Sequence, residues 1–156
     1  MIKLFLFLFS LMVFGCNANE SFVDPLKPEF ETISFDVVQK QLVIEKELPD
    51  HVQNLLSQWF DQRVKIDGFN GDMKFIVSNF NQEVFSIDNG KKIEISLSFK
   101  VYLNKPSQSQ TKNIEGIITS YSTLTGNFSL NDLDTVIQNT QSDLIIRLSK
   151  DLKSKI

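Results

Sequence analysis

The chain has 156 residues, 42% hydrophobic and 22% charged, with 14 Phe, one His, one Cys and a formal net charge of −3. This size and apolar content suit one modest globular domain. A single cysteine excludes a disulfide framework and any multi-thiolate metal site within one chain. An acidic balance without a long basic run argues against a nucleic-acid partner, because phosphate neutralisation needs clustered Lys and Arg.

The first fifteen residues have a composition of their own: twelve are apolar, four of them Phe, and Lys3 carries the only charge. Leu4 to Phe14 is an eleven-residue apolar run, too short to cross a hydrocarbon core of roughly 30 Å as a helix. One positive charge followed by such a run makes the n-region and h-region of a secretory signal peptide, assigned to residues 1–15. Val13-Phe14-Gly15-Cys16 resembles the lipobox of bacterial lipoproteins, in which an aliphatic, a variable and a small residue precede a cysteine. Val13, Gly15 and Cys16 fit the pattern; Phe14 departs from it, being bulky where small residues are commoner. The resemblance implies cleavage between Gly15 and Cys16, diacylglyceration of the Cys16 thiol and a membrane tether through lipid. Asn17 is not the Asp that, in the enterobacterial sorting pattern, retains lipoproteins at the inner membrane, so the pattern favours the outer membrane, facing the periplasm.

Residues 16–31 read as the lipidated Cys and a flexible tether, with Pro25, Pro28 and four acidic residues but no apolar period. Fully extended, Asn17 to Glu31 reaches roughly 50 Å. Residues 32–156 read as a single domain. In it, Ile33, Phe35 and Val37 alternate, and Leu42 and Ile44 continue in the opposite parity. The change of phase near Val38 to Gln41 implies a bulge, or a break into two strands. Glu47-Leu48-Pro49-Asp50 opens a helix with proline in its first turn and acidic residues at the positive end of the dipole. Val52, Leu55, Leu56, Trp59 and Phe60 form its apolar stripe, with Gly68 and Gly71 as its end.

Met73 to Ile87 reads as a strand with an irregularity at Asn79 to Glu83, and Asp88-Asn89-Gly90-Lys91 as a type I′ hairpin turn. The returning strand alternates cleanly, with Ile93, Ile95, Leu97, Phe99, Val101 and Leu103 on one face and Glu94, Ser96, Ser98, Lys100, Tyr102 and Asn104 on the other. Pro106 to Lys112 reads as a polar loop and Ile114 to Leu124 as a fourth strand. The final helix starts at Ser129, with Asp132 completing an acidic capping box and Phe128 and Leu133 at staple positions. Its stripe is Leu133, Val136, Ile137, Leu144, Ile145, Leu148 and Leu152, and Arg147, Lys150, Lys153 and Lys155 gather at its negative end. The expected fold class is α+β: a two-layer sandwich of order β-α-β-β-β-α, with a four-stranded, largely antiparallel sheet and two helices on one face.

Chemistry-bearing patterns are few. His51 reads as a solvent-facing helix residue, and Trp59 and Phe60 as core. The segment Asp67-Gly68-Phe69-Asn70-Gly71-Asp72 lacks the acidic twelfth position of a calcium loop, where Ser78 stands. No Gly-rich phosphate loop, GxSxG elbow or HExxH helix occurs, so the sequence implies no cofactor, metal or catalytic residue. The candidate contact surface is the polar sheet face at Tyr102, joined by Ile117 and Tyr121 if their register places them there, together with Arg147 and Lys150 for lipid phosphates or a partner.

The reading is a non-enzymatic, membrane-anchored lipoprotein of the cell envelope that docks on another envelope component. The lipobox, the element order and the long final helix together also resemble the lipopolysaccharide-assembly lipoprotein family, across most of the mature chain. That resemblance implies an outer-membrane β-barrel as partner, with the polar face and basic residues against barrel or lipopolysaccharide. A third reading is a carrier holding a small apolar ligand between helices and sheet.

Overall fold

A computed structural model describes residues 29–105 and 110–156. The lipobox, the signal segment and most of the tether therefore lie outside the described residues. Phe30 and Glu31, the last of the sixteen residues assigned to the tether, are packed: Phe30 is buried in the core, and Glu31 bonds Ser149 Oγ through its N–H and Lys153 through its carboxylate.

The expected change of phase is a break into two strands, β1 (Ile33–Phe35) and β2 (Gln39–Ile44). Between them Val37 N–H closes on the Phe35 carbonyl at 2.9 Å, a three-residue turn that redirects the chain. Helix α1 (Asp50–Arg63) follows, with Pro49 at its N-cap and not inside its first turn. It ends earlier than Gly68, running directly into a strand the sequence reading lacks, β3 (Val64–Ile66), which pairs in parallel with β1. Lys40 on β2 caps this end: its ammonium donates to the carbonyls of Phe60 at 2.8 Å, Asp61 at 3.2 Å and Val64 at 2.6 Å, and lies over the Phe60 ring. These are the acceptors that a helix C-terminus leaves open. Burial holds the Lys40 ammonium below the usual lysine range, with Asp61 opposing that shift.

The main sheet has the order β2-β4-β5-β6, from β2, β4 (Asp72–Ile87), β5 (Gly90–Lys105) and β6 (Gln110–Thr125). Only β2 and β4 are parallel, joined through α1; the other pairs are antiparallel. Setting aside the short β1–β3 pair, the order β-α-β-β-β-α holds, with α1 and α2 (Leu130–Ser154) on one face.

Three local expectations change. The irregularity in β4 is a bulge between Val77 and Asn79, and residues 79–83 pair regularly with β5. The hairpin loop is Asp88–Asn89, since Ile87 pairs with Gly90. Gly90 instead opens β5, where a Cβ would collide with the Leu124 carbonyl oxygen. The polar loop before β6 is shorter than expected, because Gln110 to Lys112 are already paired with β5.

Between the layers, Trp59 and Phe60 from α1 meet Phe75 at ring-centroid distances of 5.7 Å and 6.0 Å, and Phe75 stacks on Phe99 at 5.7 Å. Ile93, Ile95, Leu97 and Val101 fill the sheet side, and Leu144, Ile145, Leu148 and Leu152 the α2 side. Burying each such side chain contributes about 1.5–3 kcal/mol. The capping box at Ser129 and Asp132 forms as its spacing implies, and the Ser129 backbone N–H followed by its hydroxyl holds the Asp132 carboxyl below its usual range.

Candidate docking surface

Every residue of β6 pairs with β5 without a register shift, and its exposure alternates strictly from Ile114 to Tyr121. Ile114, Ile118 and Ser120 point under the helices, while Asn113, Glu115, Ile117, Thr119, Tyr121 and Thr123 stand on the outer face. The period of two thus decides which side chains meet water. No described element covers that outer face, and β6 is an edge strand of the sheet.

The sequence-predicted contact residues divide accordingly. Tyr102, Ile117 and Tyr121 do share the outer face, at 38%, 71% and 66% exposure. They form no compact patch: Tyr102 lies opposite Asn113, Ile117 opposite Ser98 and Tyr121 opposite Glu94. Four residues of strand separate each from the next, about 13 Å at the strand rise. Between them sits an open depression of about 270 Å³ at the β4 bulge, lined on this face by Ser78, Ser98, Lys100, Glu115 and Ile117. Lys100 and Glu115 pair across it at 3.5 Å.

Arg147 and Lys150 are exposed on α2 beside β6. Asp143 couples Arg147 to the strand, accepting from Ser120 Oγ at 2.6 Å and from Arg147 Nε at 2.5 Å. Burial alone would raise the Asp143 pKa; the bonds from Ser120 and Arg147, with the charges of Arg147 and Lys150, outweigh it and lower the value. The hydrogen bond and charge of Asp143 raise Arg147 in turn, against a smaller lowering by burial. The other cations of this helix end hold carboxylates, Lys153 on Glu31 at 2.6 Å and Lys155 on Asp151 at 2.7 Å. Lys155 also lies over the Phe99 ring and donates to the Glu115 carbonyl, an approach open because residue 116 is glycine, where a Cβ would lie 2.8 Å from the ammonium.

The Asp143 shift has a pH consequence. A carboxylate whose folded pKa lies below its unfolded value stabilises the fold above the unfolded pKa and loses that contribution as pH falls through the folded one. The α2–β6 seam therefore weakens below about pH 4, by at most about 1 kcal/mol for a half-exposed pair. Urea midpoints of the protein and of Asp143→Asn, measured from pH 7 to pH 2.5, should differ at neutral pH and converge in acid; a constant gap would assign the loss elsewhere.

His51 is not solvent-facing. It is half-buried, and its Nε2 bonds Ser142 Oγ at 3.3 Å, tying the first turn of α1 to α2. Among the described residues no cluster of three acidic, His or Cys side chains is placed to hold a metal, and no helix is long and apolar enough to cross a membrane. Gly15 and Cys16 lie outside the described residues.

No protein-family model matches the chain, and no curated protein matches it. Among solved structures it is similar to a minor lipoprotein from Acinetobacter baumannii, at 14% identity and a TM-score of 0.48, over 77% of this chain and 92% of that one. It is also similar to the rare lipoprotein B from Shewanella oneidensis, at 12% identity and a TM-score of 0.46, over 76% and 96%. Lipoprotein GNA1162 from Neisseria meningitidis overlaps at 9% identity and a TM-score of 0.34, over 72% and 99%. Likeness at this level shows no family.

Proposed function

We propose that the chain is a lipid-anchored lipoprotein of the cell envelope, with residues 1–15 as signal, 16–31 carrying the anchor and joining the domain at Phe30 and Glu31, and 32–156 as the docking domain. The module is non-enzymatic, and its task is to hold an envelope partner near a membrane. The anchor rests on the only cysteine standing at the lipobox position. Docking rests on one observation: the outer face of the sheet, three of whose four strands have sixteen residues each, is covered by no described element and carries Tyr102, Ile117 and Tyr121. Carriage of an apolar ligand has less support, because Trp59, Phe75, Phe99, Leu144 and Leu148 occupy the space between helices and sheet.

A finer reading is a lipopolysaccharide-assembly lipoprotein at the outer membrane, acting with a β-barrel. It is favoured by Lys150, exposed on α2 beside β6, and by Arg147, whose charge is shared with Asp143. One experiment separates the two levels: a photo-crosslinking residue at Tyr102, irradiated in living cells, with the adduct identified. A discrete adduct with one envelope protein is expected. A β-barrel as that protein supports the finer reading, another envelope protein supports only the broader one, and the absence of any adduct removes docking through this face.

A further inference from the structure

Edge strands of natural sheets are guarded by lysines, prolines, bulges or brevity, because their free backbone groups template another strand. Strand β6 lacks most of these guards. It is sixteen residues long, pairs with β5 without a bulge and contains no proline. From Gly116 to Thr125 it reads Gly-Ile-Ile-Thr-Ser-Tyr-Ser-Thr-Leu-Thr, ten residues without a charge and rich in β-formers. Its two exposed large apolar side chains, Ile117 and Tyr121, are symmetric about Thr119.

We propose that β6 pairs with β6 of a second copy of this chain, antiparallel and centred on Thr119, so that two four-stranded sheets become one of eight strands. The choice of occupant follows from self-complementarity. In an antiparallel pair about a two-fold axis at Thr119, Ile117 of each copy faces Tyr121 of the other, and Thr119 faces Thr119. Aromatic on β-branched and Thr on Thr are both favoured cross-strand pairs. On the inner face Ile114 meets Leu124. Moving the axis by one residue in either direction separates Ile117 from Tyr121.

Charge agrees with the same register. Glu115 of one copy falls opposite Thr123 of the other, whose neighbour on β5 is Lys92. Along that row of the joined sheet the charges read lysine, glutamate, lysine, with Lys92 from one copy and Glu115 and Lys100 from the other; no like charges face each other. Beneath the joint, Asp143 bonds Ser120, the residue next to the axis, and Arg147 bonds Asp143. The pairing depends on the β6 edge alone, so it stands or falls independently of the lipid anchor.

The test uses the full chain carrying Cys16→Ser, so that an introduced thiol is the only one. With Thr119→Cys, mild oxidation is expected to give a disulfide-linked dimer, because residue 119 meets its own counterpart. Asn113→Cys lies opposite Thr125 and should stay monomeric. A Thr119→Cys protein that stays monomeric, links to a different chain, or links no better than Asn113→Cys overturns the proposal. In sedimentation, the double variant Ile117→Glu and Tyr121→Glu should raise the dimer dissociation constant at least about tenfold, by opposing like charges twice. Mixing it with Ile117→Lys and Tyr121→Lys should restore dimers, an outcome that misfolding of the exposed-site variants would not produce. Glutamate variants that dimerise as tightly as the parent chain also overturn it.

Discussion

Phe75→Ala is expected to cost about 3–5 kcal/mol, the range for removing a large aromatic from a packed core. Its ring is fully buried and touches both layers: Trp59 edge-on and Phe60 tilted from α1, and Phe99 stacked with an interplanar angle of 2° from β5. Such ring pairs add about 0.5–1.5 kcal/mol each beyond the area they bury. Met73 and Val77 flank it on the same face and are themselves buried, so neither is free to fill the hole. Domains of this size have total stabilities of roughly 5–15 kcal/mol, so the variant sits near the edge of folding. Urea denaturation followed by Trp59 fluorescence reads the loss directly. Phe69→Ala, at a side chain 97% exposed, should shift the midpoint hardly at all. A Phe75→Ala loss under about 1 kcal/mol would mean that the layers are not joined through these rings.

The parts of this fold that were legible in the sequence are those written in a repeating period. The alternation from Ile93 to Leu103 and the helical stripe from Val52 to Phe60 each name a buried face without knowledge of the partner element. The cap at Ser129 was legible too, since its bonds close within four residues. What escaped depended on residues distant in sequence. Strand β3 exists because Val64 to Ile66 finds Ile33 to Phe35, and three residues carry too little pattern to announce themselves. Lys40 left a faint sign: it shares the inward parity of Leu42 and Ile44, where a charge is out of place unless something accepts it. The acceptors are carbonyls twenty or more residues further on.

The contact surface was half legible for the same reason. The outward parity of Tyr102 follows from β5 alone. The placing of Ile117 and Tyr121 requires the β5–β6 register, which the sequence left open, and their spread along the strand follows only once that register is known. The link from Ser120 through Asp143 to Arg147 joins a strand to a helix and has no local signature, so the basic residues of α2 read only as dipole complements or as contacts for lipid phosphates or a partner. In the structure three of them hold carboxylates instead.

Cys16→Ser is expected to abolish incorporation of radiolabelled palmitate entirely and to move the protein from the membrane to the soluble periplasmic fraction. The number of acyl chains decides how long the protein stays bound. A diacylglyceryl group places two acyl chains in the bilayer, and each buried methylene contributes about 0.8 kcal/mol, so two chains hold durably where one is marginal. Serine offers no thiolate for the transfer. The Leu4–Phe14 run, at eleven residues, is too short to span the hydrocarbon core as a helix. Gly15→Trp should act in the same direction by enlarging the small position before the cysteine. Parent protein that takes up no label, or Cys16→Ser protein that still sediments with membranes, would break the anchor reading while leaving the β-sheet surface and its pairing to be judged by their own experiments.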